Sequence, residues 1–283
     1  MRRSFILLYR VRGILLAATV AVLLGFSLFG SLLPDALSPF ITQVAWWAIF
    51  GMVLGILLAL TGPRFLHEAE TTVVSSPVAG RWLALNSPAT KTPSHGVRAY
   101  GQTYAIDLVY EPDGHERPRF GVGPAMRPPQ QYPAYGESVH SMVSGTVVRA
   151  SAWHRDHRSR SKLLALIYMM FEGTIRELGG PGFILGNHVV VRSDEGLYAV
   201  TAHLQQGSTL VRSGETVAVG QLIGRCGNSG NSSEPHVHCH LMDRASLFRA
   251  IGLPMMFDSI VLDDQLNPVN ALPKDGQHMT ANR

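Results

Sequence analysis

The run Glu234-Pro-His-Val-His-Cys-His240 places three imidazoles at every second position. In an extended strand alternate side chains share a face, so His236, His238 and His240 project one way and Val237 and Cys239 the other. Two such imidazoles stand about 7 Å apart, which suits one metal ion, or one ligand beside one proton carrier. The alternative is a chance histidine doublet, and the surrounding sequence weighs against it. Upstream, Thr201-Ala-His203-Leu204 closes a strand, and Gly227-Asn-Ser-Gly230 lies between it and the histidine run. Further upstream, Ser94-His95-Gly96 precedes Tyr100-Gly-Gln-Thr-Tyr-Ala-Ile-Asp107. Imidazoles with a carboxylate are a ligand set for a divalent cation, and no H-E-x-x-H sequence occurs to supply a glutamate base.

The elements that must position these groups are short. Residues 80–85, 104–110, 144–149, 188–192, 197–203, 221–225 and 236–241 read as strands, separated by turn signals such as Pro112-Asp-Gly114 and Asp194-Glu-Gly196. Many short strands and few helical patterns indicate an antiparallel β domain. One segment departs from that rhythm. Trp153 to Leu178 starts with His154, Arg155, His157, Arg158, Arg160 and Lys162 and continues with the apolar run Leu163 to Phe171. It reads as one helix inserted at about 152–180. Packing of its apolar face on the sheet is the simplest expectation; a lid or a rest on anionic lipid are the alternatives. Asn187 and Asn228 are expected to set loop geometry, His188 to be structural, His240 to lie behind or beside the site, and Cys226 and Cys239 to be free buried thiols.

Composition divides the 283-residue chain in two. Gly13–Leu33 and about Ile41–Gly62 contain no ionisable residue, and each is long enough to cross a hydrocarbon core as a helix. The expected layout is a membrane anchor over 1–66 with helices at about 13–33 and 41–62. A β domain over 67–254 and a tail over 255–283 complete it. A cleaved signal peptide is the alternative for the first run, though no convincing A-x-A site follows it. The net charge is +4, and four arginines lie in the first 12 residues, so the basic balance marks no nucleic-acid face. Two cysteines exclude a disulfide scaffold.

Taken together, Asp107, Ala202-His203-Leu204, Gly227-Asn-Ser-Gly230 and His236-Val-His238 resemble, in order and type, the lysostaphin-type zinc endopeptidases of peptidase family M23. The resemblance runs from about Arg81 to Asp243. It implies a mainly β, antiparallel metallopeptidase domain, here with an inserted helix and preceded by a transmembrane α-helical hairpin. It implies Zn2+ bound by Asp107 and His238, with His203 and His236 as the unligated pair that activates water and stabilises the transition state. The family's H-x-x-x-D spacing would put a ligand at Thr103, a poor zinc donor. His95 is the nearest upstream imidazole and is expected as the third ligand; the alternative is a loop histidine on an inactive domain. The implied function is hydrolysis of peptide bonds in peptidoglycan stem peptides or cross-links. The alternative is an inactive domain that binds or regulates cell-wall enzymes. A lipoyl-type carrier is discounted because no lysine follows Val143-Ser-Gly-Thr-Val-Val148. The expected partners are peptidoglycan and the lipid bilayer, with no nucleic acid. The arginines before the first run favour a cytoplasmic C-terminal domain, whereas the substrate requires an extracytoplasmic one. The latter is the expectation.

Overall fold

The computed structural model describes residues 2–66, 69–263 and 265–282, the side chains of Arg2 and Arg3 excepted. Two compact units are formed, Met1–Ala69 and Glu70–Arg283. The first contains α1 (Arg2–Phe29) and α2 (Ser38–Thr61), joined by single 3-10 turns around Pro34. The helical segments reach beyond the uncharged runs: α1 begins well before Gly13, and 3-10 turns flank α2 on both sides. Long apolar stretches of Ser4–Leu32 and Asp35–Phe65 result. The helices meet through small residues. Ala48, Gly51, Gly55 and Leu58 are buried on one stripe of α2, and a Cβ on Gly55 would stand 2.7 Å from the Leu16 side chain. Close approach at glycine is how apolar helices associate when the hydrophobic effect offers no drive between them. Trp46 and Trp47 are exposed on α2.

The second unit is built on a twelve-stranded sheet. Its principal strands are β1 (Thr72–Val74), β2 (Gly80–Leu85), β3 (Ile106–Tyr110), β4 (Gly145–Ala150), β5 (Asn187–Ser193), β6 (Tyr198–Leu204), β7 (Val237–Met242), β8 (Met255–Leu262) and β9 (His278–Ala281). Their spatial order is β1-β8-β9-β2-β3-β7-β6-β5-β4, ending on Thr216–Val217. All of these pairs are antiparallel except β1 with β8. One face is closed by a core that includes Trp82, Ile106, Leu108, Val237, Cys239, Leu241 and Phe257. The alternation of β7 is thus fixed by burial. Odd-numbered residues enter that core, and slipping the strand by one residue would exchange the histidines for Val237 and Cys239.

Two features differ from the sequence reading. Residues 255–283 do not trail away from the β domain, because β8 and β9 are inserted between β1 and β2. The inserted helix, α3 (Leu163–Leu178), begins ten residues later than Trp153. The basic stretch before it is held extended by other partners. Ser159–Arg160 pairs with Met126–Arg127, and the Asp156 carboxylate accepts the backbone N–H groups of Gln206 (3.0 Å) and Asn228 (2.7 Å). Short polar side chains bonding backbone in this way compete with helix formation. A second short helix, α4 (Pro181–Leu185), follows α3. The apolar side of α3 faces solvent, with Leu164 79% and Phe171 68% exposed, so it does not pack on the sheet.

Candidate metal centre

Strand register brings the first two groups together. In the β3–β7 ladder His238 is directly opposite Asp107, and opposite residues of an antiparallel pair project from the same face. The imidazole Nδ1 of His238 lies 2.8 Å from Asp107 Oδ1. His95 arrives from the loop between β2 and β3. The Ser94 N–H donates to the Thr103 carbonyl (3.2 Å), which folds that loop back on itself, and His95 Nε2 comes to 2.9 Å from Asp107 Oδ2. Thr103 therefore contributes a main-chain anchor for Ser94, the residue beside His95, and His95 is the imidazole delivered to Asp107. The donor atoms of His95, Asp107 and His238 lie within 4.8 Å of one another.

His203 reaches the same place by breaking the rule that orders the others. Ala202 is opposite His238, so simple alternation would send the next side chain to the opposite face. Between β5 and β6 the register shifts between Asn187 and Val189, and His203 has φ 60°. A bulge with a left-handed residue re-aims a side chain. The His203 ring lies 4.7 Å from that of His236 and 5.6 Å from that of His238, centroid to centroid. Asn86 (φ 48°) and Tyr100 (φ 56°), in the segments that flank Asp107 and His95, are also left-handed. Such backbone is costly for non-glycine residues and persists where the surroundings dictate it.

Each ring is oriented by a further bond. His95 Nδ1 is 3.0 Å from the Ser94 hydroxyl, which is fully buried. His203 Nδ1 donates to the Ser229 carbonyl (2.8 Å), and His236 Nδ1 donates to the Glu234 carbonyl (2.8 Å). These bonds leave Nε2 of His203 and His236 as basic nitrogens. His236 Nε2 lies 3.5 Å from Asp107 Oδ1. His240 is buried behind the cluster, its Nδ1 3.1 Å from His238 Nε2. Asn86 donates its amide to Asp107 Oδ2 (2.8 Å). Asn86 carries no site signal in the sequence, and although Ser94, Ser229 and Glu234 lie within the quoted motifs, the motifs do not reveal their orienting contacts. Their roles depend on loop closure and on backbone atoms that every residue possesses. Asn187 and Asn228 do set loop geometry: Asn187 bridges His154 and the Leu204 carbonyl, and Asn228 accepts from Ser232. Cys226 and Cys239 are free and buried.

The electrostatics follow from burial around one carboxylate. Burial alone would raise Asp107, but His95, His236 and the bonds from His236 and His238 hold it well below the usual carboxylate range. Burial pushes His203 well below the usual imidazole value, and the neighbouring His236 and His238 push it the same way. Burial also lowers His238 and His240. His236 alone is raised: burial opposes protonation, and the Asp107 charge and hydrogen bond outweigh it. Neutralising Asp107 with a cation would remove that support and return His236 towards its basic, neutral form.

The donor set fits a divalent transition metal. Two imidazole nitrogens and one carboxylate oxygen converge, and each has an outer partner that fixes its orientation. As a ligand through Nε2, His95 would keep its proton on Nδ1 and donate it to Ser94. As a ligand through Nδ1, His238 would donate from Nε2 to His240.

Residues 159–249 match the model of peptidase family M23. That stretch contains His203, His236 and His238; His95 and Asp107 lie before it. Among solved structures, the chain is similar to the catalytic domain of lysostaphin from Staphylococcus simulans. There the identity is 18%, the coverage 53% of this chain and 74% of that one, and the TM-score 0.31. It is similar to lysostaphin in solution at 20% identity and TM-score 0.29, covering 52% of this chain and 40% of that one. It is also similar to the deep-sea M23 metalloprotease pseudoalterin at 15% identity and TM-score 0.35, covering 66% and 75%. The chain thus spans less than half of lysostaphin's length in its solution structure.

Proposed function

Because residues 159–249 match the model of peptidase family M23, we propose that the chain is a membrane-anchored zinc endopeptidase of that family. Its proposed substrates are the stem peptides or cross-links of bacterial peptidoglycan. The observation that carries this reading is the convergence of His95, Asp107 and His238 donor atoms within 4.8 Å, beside two oriented, basic imidazoles. His95 Nε2, an Asp107 oxygen and His238 Nδ1 would hold the ion. Two neutral imidazoles and one carboxylate leave one net positive charge and room for a fourth ligand. When bound, zinc supplies a Lewis acid that polarises the scissile carbonyl and makes water a stronger acid.

The remaining work belongs to the chain. His236, two residues from His238 on the same face, presents Nε2 towards the ligand cluster and takes the proton of the attacking water. The Glu234 carbonyl keeps its other nitrogen protonated, so that Nε2 is the base. His203, turned inward by the β6 bulge, faces His236; with its Nδ1–H on the Ser229 carbonyl, its Nε2 accepts a hydrogen bond from the other side of the attacking water. Its low proton affinity keeps it neutral at pH 7 beside the cation. Since peptidoglycan lies outside the inner membrane, α1 and α2 form a hairpin anchor with the β unit extracytoplasmic. A single cysteine at Asn282, labelled from each side of the membrane, tests that arrangement; labelling from the cytoplasm alone would refute it.

Elemental analysis of the purified full chain tests the site. About one zinc per chain is expected, falling to background in His238→Ala and Asp107→Asn. A chain without zinc after purification in zinc-containing buffer would favour the inactive regulatory alternative.

A further inference from the structure

Helix α3 is turned inside out for a helix on a soluble protein. At 100° per residue, Ala165, Leu166, Met169, Glu172, Gly173 and Arg176 fall on one side, and these are its buried or half-buried residues. The charged groups are on that inward side and bonded to the body. Glu172 pairs with Arg160 and Arg176, and Arg176 reaches the Asn231 side chain at 3.5 Å. At the margin, Glu177 accepts from the Tyr100 hydroxyl. The outward half carries Leu163, Leu164, Ile167, Phe171, Ile175 and Leu178, all exposed, Leu178 at 83%. A surface helix normally buries its apolar stripe and hydrates its charges. Here ion pairs hold the helix in place while a stripe of large apolar side chains along its length remains in the open, so packing within the chain does not explain it. A contiguous apolar surface of this kind marks an interaction site.

We infer that the outward face of α3 lies in the headgroup region of an anionic lipid bilayer, as an interfacial helix. Three observations select lipid. Arg155 and Arg158 are exposed in the segment that leads into α3, and Lys162 is its half-buried N-cap, so cations adjoin the apolar face. Basic residues beside an apolar helical face are the combination that binds anionic membranes. Trp153 is exposed and stacks edge-on against Phe183 of α4, just beyond the end of α3. Tryptophan favours the membrane interface. Finally, only residues 66–71 separate the turn that ends at Phe65 from β1 at Thr72. Six residues span at most about 20 Å, so a bilayer crossed by α2 is within reach of the β unit at all times. The inference rests on the proposed spanning role of α1 and α2 but not on peptidase activity. It bears on the site because the inward face of α3 touches Asn231, beside the Ser229 and Ser232 that orient His203 and His236.

The test uses the full chain reconstituted in vesicles of phosphatidylcholine and phosphatidylglycerol. A polarity-sensitive fluorophore is placed on a cysteine at Phe171→Cys, at Phe50→Cys in α2, or at Leu210→Cys on an exposed loop. Doxyl-labelled lipids and aqueous iodide serve as quenchers. Positions 50 and 171 should be quenched by doxyl lipid and position 210 by iodide. Quenching at 171 should be lost in vesicles of phosphatidylcholine alone and in Arg155→Glu/Arg158→Glu. Doxyl quenching at 50 with iodide quenching at 171 would overturn the inference and leave the anchor standing. Absence of doxyl quenching at 50 would overturn both. Shielding of 171 from both quenchers, with 171-to-171 cross-linking, would assign the face to a second copy and overturn the inference.

Discussion

Replacing Ser94 by alanine isolates the least obvious member of the proposed metal site. The hydroxyl lies 3.0 Å from His95 Nδ1 and is fully buried, so no solvent can take its place. It fixes the tautomer that leaves Nε2 to face Asp107, 2.9 Å away. The main-chain bond from Ser94 N–H to Thr103 survives the substitution, and with it the loop that delivers His95. Two costs arise. A buried N–H loses its acceptor, about 1–3 kcal/mol, and the ring loses its orientation, for which outer-partner substitutions typically weaken metal binding about 10–100-fold. The two are views of one effect and do not add. Complete burial places the expectation at the upper part of that range, roughly 2–3 kcal/mol. Competition against a chromogenic chelator measures the zinc Kd of the full chain, with Ser94→Thr as the variant expected to restore it. A Kd within about twofold of wild type, in a chain that unfolds at the wild-type denaturant concentration, would refute the reasoning. His95 would then not be a ligand.

Other outcomes follow from the same geometry. His236→Ala should keep its zinc while peptide hydrolysis falls about 10²–10⁴-fold, the usual contribution of a general base; loss of the metal instead would make His236 a ligand. Stability should rise with pH between about 4 and 6.5. His188, buried with its Nε2 unpartnered among the described residues, is pushed down from 6.5 to about 4. Below pH 6.5 the unfolded chain therefore binds a proton that the folded chain refuses. The full difference is on the order of 3 kcal/mol. His203 and His240 are lowered too and act in the same direction, whereas the raised His236 acts against them. Urea unfolding of the full chain in detergent, followed by tryptophan fluorescence at pH 7 and pH 5, should show the loss in wild type and a smaller one in His188→Gln. A flat profile would contradict it.

The strands that carry the proposed chemistry are legible because one face of each is buried. Val237, Cys239 and Leu241 in the core force His236, His238 and His240 onto the other face, and a two-residue period reads directly from sequence. His203 was legible as a member of the motif, but not as an inward-facing ring. That orientation depends on a bulge and a left-handed residue, which no side-chain pattern announces. His95 is legible only as the nearest imidazole upstream of Asp107 within the family resemblance, since its arrival depends on a main-chain bond between Ser94 and Thr103. The helix start was misplaced because the basic stretch 153–162 has helical composition but is committed to the 156–228 and 126–160 contacts. The strands β8 and β9 were missed because they lie beyond the last recognisable motif. They pair with the first strands of the unit, a closure between distant parts of the chain that local pattern does not reveal. The exposed face of α3 shows the opposite failure. Its amphipathicity was plain, yet which side faces the body is decided by Arg160, Glu172 and Asn231 and not by hydropathy.

The central claim is hydrolysis that depends on a metal held by His95, Asp107 and His238. Its most direct test is release of soluble peptide from purified peptidoglycan by the full chain, before and after chelation, with zinc then titrated back. Activity should disappear with the metal, return in full at one equivalent of zinc per chain, and fail to return in His238→Ala. Undiminished release from the chelated chain, or from His238→Ala, would contradict it.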